Sequence, residues 1–213
     1  MNYSYWEIKE WFTNIDFTIV GSGIVGLNCA LELKQQHPKA KILVLEKGML
    51  PQGASSKNAG FACFGSLSEL IDDLKTHTEE EVFSLVEKRW EGLQLLRSNL
   101  GDKNIDFQQN KGFELFQDAG FYEECLAEKN KINQLLKPLF KHNVFTVDGN
   151  IFEFNKIHKN YIINQFEGQI DTGKMVAELL LKVQSAGVKI LNNISVENFE
   201  EVGSKVVVKT NQN

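Results

Sequence analysis

The stretch Ile15-Asp16-Phe17-Thr18-Ile19-Val20-Gly21-Ser22-Gly23-Ile24-Val25-Gly26 decides the fold. Its first half is apolar enough for a buried parallel strand, and it runs straight into a glycine-rich turn. A helical pattern follows at once. Val25, Cys29, Ala30 and Leu33 recur at helical spacing up to the turn at His37-Pro38. A second apolar run, Ile42-Leu43-Val44-Leu45, then stops on Glu46. The pattern is a βαβ unit of about thirty residues with a glycine fingerprint at its first turn.

Each residue type in that turn has a physical task. Gly21 permits the tight passage from strand to helix, and Gly23 lets a pyrophosphate approach the backbone closely. Gly26 has no Cβ and lets helix and strand pack together. The helix N-terminus, with Ser22, Ile24 and Val25 between the glycines, directs N–H groups and a positive dipole at phosphate charge. Glu46 lies about twenty residues beyond Gly26, where a carboxylate can accept from a ribose diol and repel a 2′-phosphate. The reading is dinucleotide binding, against a Rossmann-like unit that binds nothing.

Seven residues after the acid comes Gly53-Ala54-Ser55-Ser56-Lys57-Asn58-Ala59-Gly60. Together, Gly21 to Gly26, Ala30 and Leu33, Glu46-Lys47-Gly48 and this second segment resemble the D-amino-acid oxidase superfamily. That superfamily includes glycine oxidase and the amine oxidoreductases. The resemblance implies FAD, with Glu46 and Lys47 at the adenosine end and Ala54, Ser55, Ser56, Lys57, Asn58, Ala59 and Gly60 running toward the flavin. Some relatives carry a histidine near that motif for covalent attachment. Lys57-Asn58 stands here, so the resemblance implies non-covalent FAD. An NAD-binding dehydrogenase is the alternative from the same glycine turn.

Composition narrows the classes. The 213 residues suffice for a substantial core, with 42% hydrophobic and 24% charged residues. A formal charge of −5 leaves no basic footprint for nucleic acid. The only arginines are Arg89 and Arg97, so bidentate recognition of anions has few candidates. Cys29, Cys63 and Cys125 form no CxxC pair, and the four histidines show no ligand spacing; neither a disulfide framework nor a metal is expected. Cys29 reads as a small residue on the inward face of the Rossmann helix. No apolar run approaches membrane-spanning length, and a soluble, cytoplasmic chain is expected.

Residues 3–12 read as a short amphipathic helix on the outside of the βαβ unit. Past Gly60, Ser66 looks like an N-cap, and helices are expected over 67–76 and 79–99. Thr78 and Glu81 form a capping box for the second, and Trp90 is read as a core anchor. Strands follow at 105–107, 111–116, 144–147 and 161–163, with a helix over 120–136 stopped before Pro138. This block, 64–168, is the α+β substrate-binding domain that the resemblance implies. It divides the Rossmann domain into 1–63 and 169–213. After it, Asp171 starts a helix that Gly187 ends, and Val188-Lys189-Ile190-Leu191 reads as a third parallel strand. Val196 matches the superfamily position that touches adenine through its backbone. Residues 205–209 read as one arm of a β-meander.

The resemblance covers nearly all of the chain, yet only the first half to two-thirds of a full enzyme of that kind. The expected fold is therefore α/β: an FAD-type Rossmann domain interrupted by an α+β domain, lacking the C-terminal third. The implied activity is oxidation of a small-molecule amine or amino acid by hydride transfer to flavin. No catalytic residue is assigned. A catalytically silent chain needing a partner is the other alternative, and a homo-oligomer or a missing C-terminal partner segment are the expected associations.

Overall fold

The structure, a computed structural model, describes residues 3–212. The chain divides into two compact units, Met1–Ala59 with Thr172–Asn213, and Gly60–Asp171.

The first unit opens with a short helix, α1 (Tyr5–Glu7), held by a capping box between Ser4 and Glu7 and continued as a π-turn over Ile8–Phe12. Strand β1 (Phe17–Val20), helix α2 (Ile24–Gln36) and strand β2 (Ile42–Leu45) follow. β1 and β2 are parallel, with Phe17 beside Ile42 and Val20 beside Leu45. β2 is buried at every position, whereas β1 alternates and leaves Val20 64% exposed. The expectation that β1 is a buried strand is therefore corrected, because among the described residues it pairs with β2 alone.

The inward face of α2 is also rotated from the expected one. Leu27, Ala30 and Leu31 are buried, whereas Val25 and Cys29 are exposed. The helix begins at Ile24, so its first turn faces outward at the glycine loop. Its core contacts start one turn later.

The second unit begins with β3 (Phe61–Ala62), α3 (Leu67–Asp73) and α4 (Glu79–Leu100). Complete capping boxes start both helices, Ser66 with Glu69 and Thr78 with Glu81. Residues 105–107, expected as a strand, form no strand: a turn runs through Asp106, Phe107 is irregular, and Gln108 bridges to Gln169. Next come β4 (Gly112–Glu114), α5 (Ala119–Phe140), β5 (Phe145–Gly149), β6 (Asn160–Asn164) and β7 (Gly168–Gln169). β6 is central in an antiparallel sheet, between β4 and β5.

Helix α5 runs through Pro138, against the expected stop. Proline in a helix interior costs about 3 kcal/mol, but here it sits in the last turn. The carbonyl it leaves without a donor belongs to the exposed Gln134. Continuing the helix seats Phe140, 6% exposed, with its ring 4.9 Å from Phe64 and 5.0 Å from Trp90. Burying such a ring contributes about 2–3 kcal/mol, enough to offset a terminal proline. Trp90 thus packs against the core, with Phe64, Leu67, Val86, Ile132 and Leu136 among its buried members.

β3 pairs with β7, Phe61 beside Gln169 and Ala62 beside Gly168. That pairing groups residues 60–63 and 169–171 with the inserted unit, whereas the sequence reading placed them in the Rossmann segments 1–63 and 169–213.

The chain then returns to the first unit through α6 (Thr172–Ser185), which ends at Gly187 with φ +82, and β8 (Lys189–Leu191). β8 lies parallel to β2 and completes the order β1-β2-β8, while α6 packs against α2. The hairpin of β9 (Val196–Val202) and β10 (Lys205–Thr210) closes the described chain.

Candidate functional site

The site in the first unit is built from the glycine turn outward. Gly21 adopts φ +95, a left-handed conformation that a side chain strongly disfavours. A Cβ on Gly26 would stand 2.1 Å from the Gly21 carbonyl oxygen and 3.2 Å from Ile19 Cγ2. The helix can therefore leave the strand this tightly only with glycine at position 26. Gly23 is the N-cap of α2 and supplies no side chain to satisfy the first-turn N–H groups.

An acceptor from elsewhere fills part of that role. Ser55 Oγ accepts the Ile24 N–H at 2.9 Å, and a Cβ on Gly23 would come within 3.1 Å of the same oxygen. The second segment thus reaches the first across thirty-one residues and caps the helix. Ala54–Ser56 form a single 3-10 turn, closed by Lys57 N–H donating to the Ala54 carbonyl at 3.2 Å. Asn58 Nδ2 donates to the carbonyls of Ala54 and Ser55, each at 3.1 Å, and Thr172 Oγ1 donates to Asn58 Oδ1 at 3.0 Å. Asn58 so fastens the turn that carries Ser55 to the start of α6. Ser56 Oγ donates back to Pro51, and Lys57 and Ala59 are exposed.

Glu46 closes the other side of the turn. Its Oε2 accepts from Ser22 N–H at 2.9 Å and Ser22 Oγ at 2.8 Å, and its Oε1 accepts from Gly48 N–H at 2.8 Å. Glu46 is 7% exposed and Ser22 fully buried. Burial alone would raise the Glu46 pKa, but the hydrogen bonds from Ser22 and Gly48 together outweigh it and hold the carboxyl below its ordinary range. A carboxylate has about four acceptor positions, so Oε2 is filled and Oε1 keeps one. Lys47 is exposed beside it.

Two expected residues stand apart from this cluster. Val196 opens β9 opposite Thr210. Gly60, with φ +78, belongs to the inserted unit, where its carbonyl accepts from Ile170 N–H at 2.8 Å. The contacts of Ser55 and of Asn58 with Thr172 escaped the sequence reading, because their partners are too distant in the chain to leave a local pattern. The small polar run Ser55-Ser56 was the one available signal.

Three comparisons bear on this geometry. The family model described as DAO, FAD dependent oxidoreductase, matches residues 16–213. A probable oxidoreductase, OrdL of Haemophilus influenzae, is 23% identical, over 76% of this chain and 41% of its own. The chain thus spans less than half the length of that curated relative. Among solved structures, L-amino acid deaminase from Proteus myxofaciens, in complex with anthranilate, superposes with TM-score 0.65 at 18% identity, covering 94% of this chain and 43% of its own. Glycine oxidase from Geobacillus kaustophilus gives 0.61 at 20%, over 92% and 51%. L-alpha-glycerophosphate oxidase from Mycoplasma pneumoniae, with FAD bound, gives 0.66 at 19%, over 93% and 50%. At these identities the structural likeness shows the fold. No described helix is long and apolar enough to cross a membrane.

Proposed function

The chain belongs to the FAD dependent oxidoreductase (DAO) family, whose cofactor is FAD, and we propose from that premise that its glycine turn and second segment hold FAD non-covalently. The family membership removes the NAD-dehydrogenase alternative. The observation that carries the assignment is the Ser55–Ile24 hydrogen bond, which gathers the two segments around one helix N-terminus. The exposed first turn of α2 would take the pyrophosphate, with Ser55 Oγ–H free to donate while its oxygen accepts from Ile24. Glu46 would accept from the adenosine ribose through the remaining position on Oε1. Lys47, Ser56, Lys57, Asn58, Ala59 and Gly60 complete the proposed cofactor segment, with Val196 as a backbone contact to adenine.

The proposed reaction of the whole protein is oxidation of a small amine or amino acid. Bound FAD supplies the hydride acceptor for such a reaction. What supports the amine class is that two of the similar structures are by name an amino acid deaminase and a glycine oxidase. Titrating the chain with FAD by flavin-fluorescence quenching, and with NAD by competition, tests the cofactor assignment. Saturable FAD binding that NAD does not displace is expected. NAD binding without FAD binding would falsify it. Anaerobic bleaching of flavin bound to the whole protein by members of a panel of small amines and amino acids, but not by glycerophosphate, is the expected outcome for the substrate class.

A second reading concerns turnover. The relatives are about twice as long as this chain, and β1 has a sheet neighbour on one side only among the described residues. An open edge of this kind invites another strand. On this reading the 213 residues bind FAD but need further polypeptide for catalysis. Peroxide release at an enzymatic rate by the chain alone overturns it.

A further inference from the structure

The inserted unit contains a cavity of about 390 Å³, within the range of small-molecule pockets, about 300–1,000 Å³. Its apolar lining comes from Phe61, Leu67, Phe113, Leu115, Phe145 and Ile162. Its charged lining is one-signed: Glu69, Glu114 and Glu167 contribute, and no lysine, arginine or histidine does.

Glu167 is the unusual member. It is nine-tenths buried, and its Oε1 has no hydrogen-bond partner. The backbone N–H groups of Phe64 and Gly65 hold the carboxyl. Its seat exists only because residue 112 is glycine, since a Cβ there would stand 1.9 Å from Glu167 Oε2. The other two acids are anchored as well. Ser68 Oγ donates to Glu114 Oε1, and Ser66 N–H donates to Glu69 Oε2 at 2.8 Å. A buried carboxylate without a full set of donors or a counter-charge is costly, and this cavity gathers three acids. Among the described residues no three His, Cys, Asp or Glu side chains converge tightly enough for a metal ion. An ammonium group on an apolar chain would match both the acids and the apolar lining.

We propose that this cavity binds the ammonium end of a carboxylate-free alkylamine, with Glu167 as the principal anion and the apolar lining receiving the alkyl chain. A substrate carboxylate would meet three acids and no base, so amino acids are disfavoured here. The inference deepens the amine reading of the proposed function, on which the ligand's role as substrate rests; the binding itself requires no flavin. The titration of Glu167 agrees with it. Burial pushes its carboxyl up to about 7, the Phe64 and Gly65 N–H groups lower it, and Glu69 and Glu114 raise it. Cys63 lines the same cavity, and Arg89 Nη1 donates to the Phe64 carbonyl at 3.1 Å.

Calorimetric titration of the full chain with n-butylammonium chloride, sodium butyrate and n-butanol at matched ionic strength tests this. Saturable binding of butylammonium alone is expected, weaker below pH about 7 as Glu167 takes up a proton. Glu167→Gln should weaken it about ten- to a hundredfold, Glu114→Gln less, and the exposed Glu128→Gln not at all. Equal binding of butyrate, absence of saturation, or unchanged affinity in both Glu167→Gln and Glu114→Gln overturns the proposal. The ammonium-against-butyrate comparison on the unaltered chain stands even where a variant fails to fold. Glu167-dependent butylammonium binding without FAD binding defeats the flavin assignment and leaves the cavity standing; FAD binding without butylammonium saturation does the reverse.

Discussion

Ser22 donates twice to a single oxygen of Glu46, from its backbone N–H and from its hydroxyl. The acid at the end of β2 is therefore a structural clamp on the glycine turn before any cofactor arrives. The geometry thus gives Glu46 a structural task beside its proposed role in holding FAD.

Glu46→Ala should consequently lower apo stability as well as FAD affinity. It strands the buried Ser22 N–H, which costs about 1–3 kcal/mol. Loss of one charge-assisted bond to the ribose should weaken FAD about 10- to 150-fold. Glu46→Gln should keep much of the stability. The Glu46 pKa lies below its ordinary 4.5 in the folded chain. Its contribution is thus complete above that ordinary value and lost as pH falls through the folded one. Apo melting with and without acid, for the wild type and both variants, checks all three statements.

Gly26→Ala should be more damaging than its size suggests. The added Cβ meets a backbone oxygen at 2.1 Å, which cannot rotate away. Overpacking of this kind costs about 1–3 kcal/mol or more, and here it opens the turn between β1 and α2. A chemical-denaturation midpoint indistinguishable from wild type would show that the turn can relax.

Ser55→Ala removes the acceptor of the Ile24 N–H. Loss of a cap costs about 0.5–2 kcal/mol, so apo stability should fall modestly. FAD affinity should fall too, and Asn58→Ala, which frees the turn carrying Ser55, should lower it in the same direction. Equilibrium unfolding beside fluorescence titration separates the two effects. Full FAD affinity in Ser55→Ala removes this hydroxyl from the site.

Asn133 replaces a stretch of backbone pairing inside the inserted unit. It is 2% exposed, its Nδ2 donates to the Phe145 carbonyl, and its Oδ1 accepts the Phe145 N–H, both at 2.8 Å. Asn133→Leu keeps the volume but leaves two buried backbone groups unpaired, for a loss of about 2–5 kcal/mol. Asn133→Asp should retain the acceptor half. A loss under about 0.5 kcal/mol in the leucine variant, the range of an ordinary surface change, would contradict this accounting.

Glu167 predicts a stability profile of opposite sign to that of Glu46. Its folded pKa is raised to about 7 from 4.5. Between those values the folded chain holds more protons than the unfolded one, so stability falls as pH rises through the window and levels off above it. Glu167→Gln should flatten this slope and raise stability above neutrality. Unfolding free energies across the window, with no amine present, give the measurement. A parallel pair of curves for the two proteins would show that Glu167 titrates normally.

What the sequence by itself determined is local. The strand–glycine–helix–strand order, the Ser66–Glu69 and Thr78–Glu81 boxes and the Gly187 stop all depend on residues a few positions apart, and short-range sterics and hydrogen bonding decide them. The parallel β8 was legible because its apolar run follows an amphipathic helix. Tertiary structure decided the rest. Pro138 stays helical because Phe140 has an aromatic cluster to enter, which lies far away in the sequence. Residues 105–107 lose strand pairing although their composition permits it, because a strand exists only beside a partner. Val25 and Cys29 turn outward because the sheet, and not the helix's own periodicity, chooses the buried face. The double grip of Ser22 on Glu46, the cap from Ser55 and the hold of the Phe64 and Gly65 N–H groups on Glu167 join residues 24, 31 and about a hundred positions apart. Hydrogen bonds and charges act through space, so only the folded chain brings those groups together.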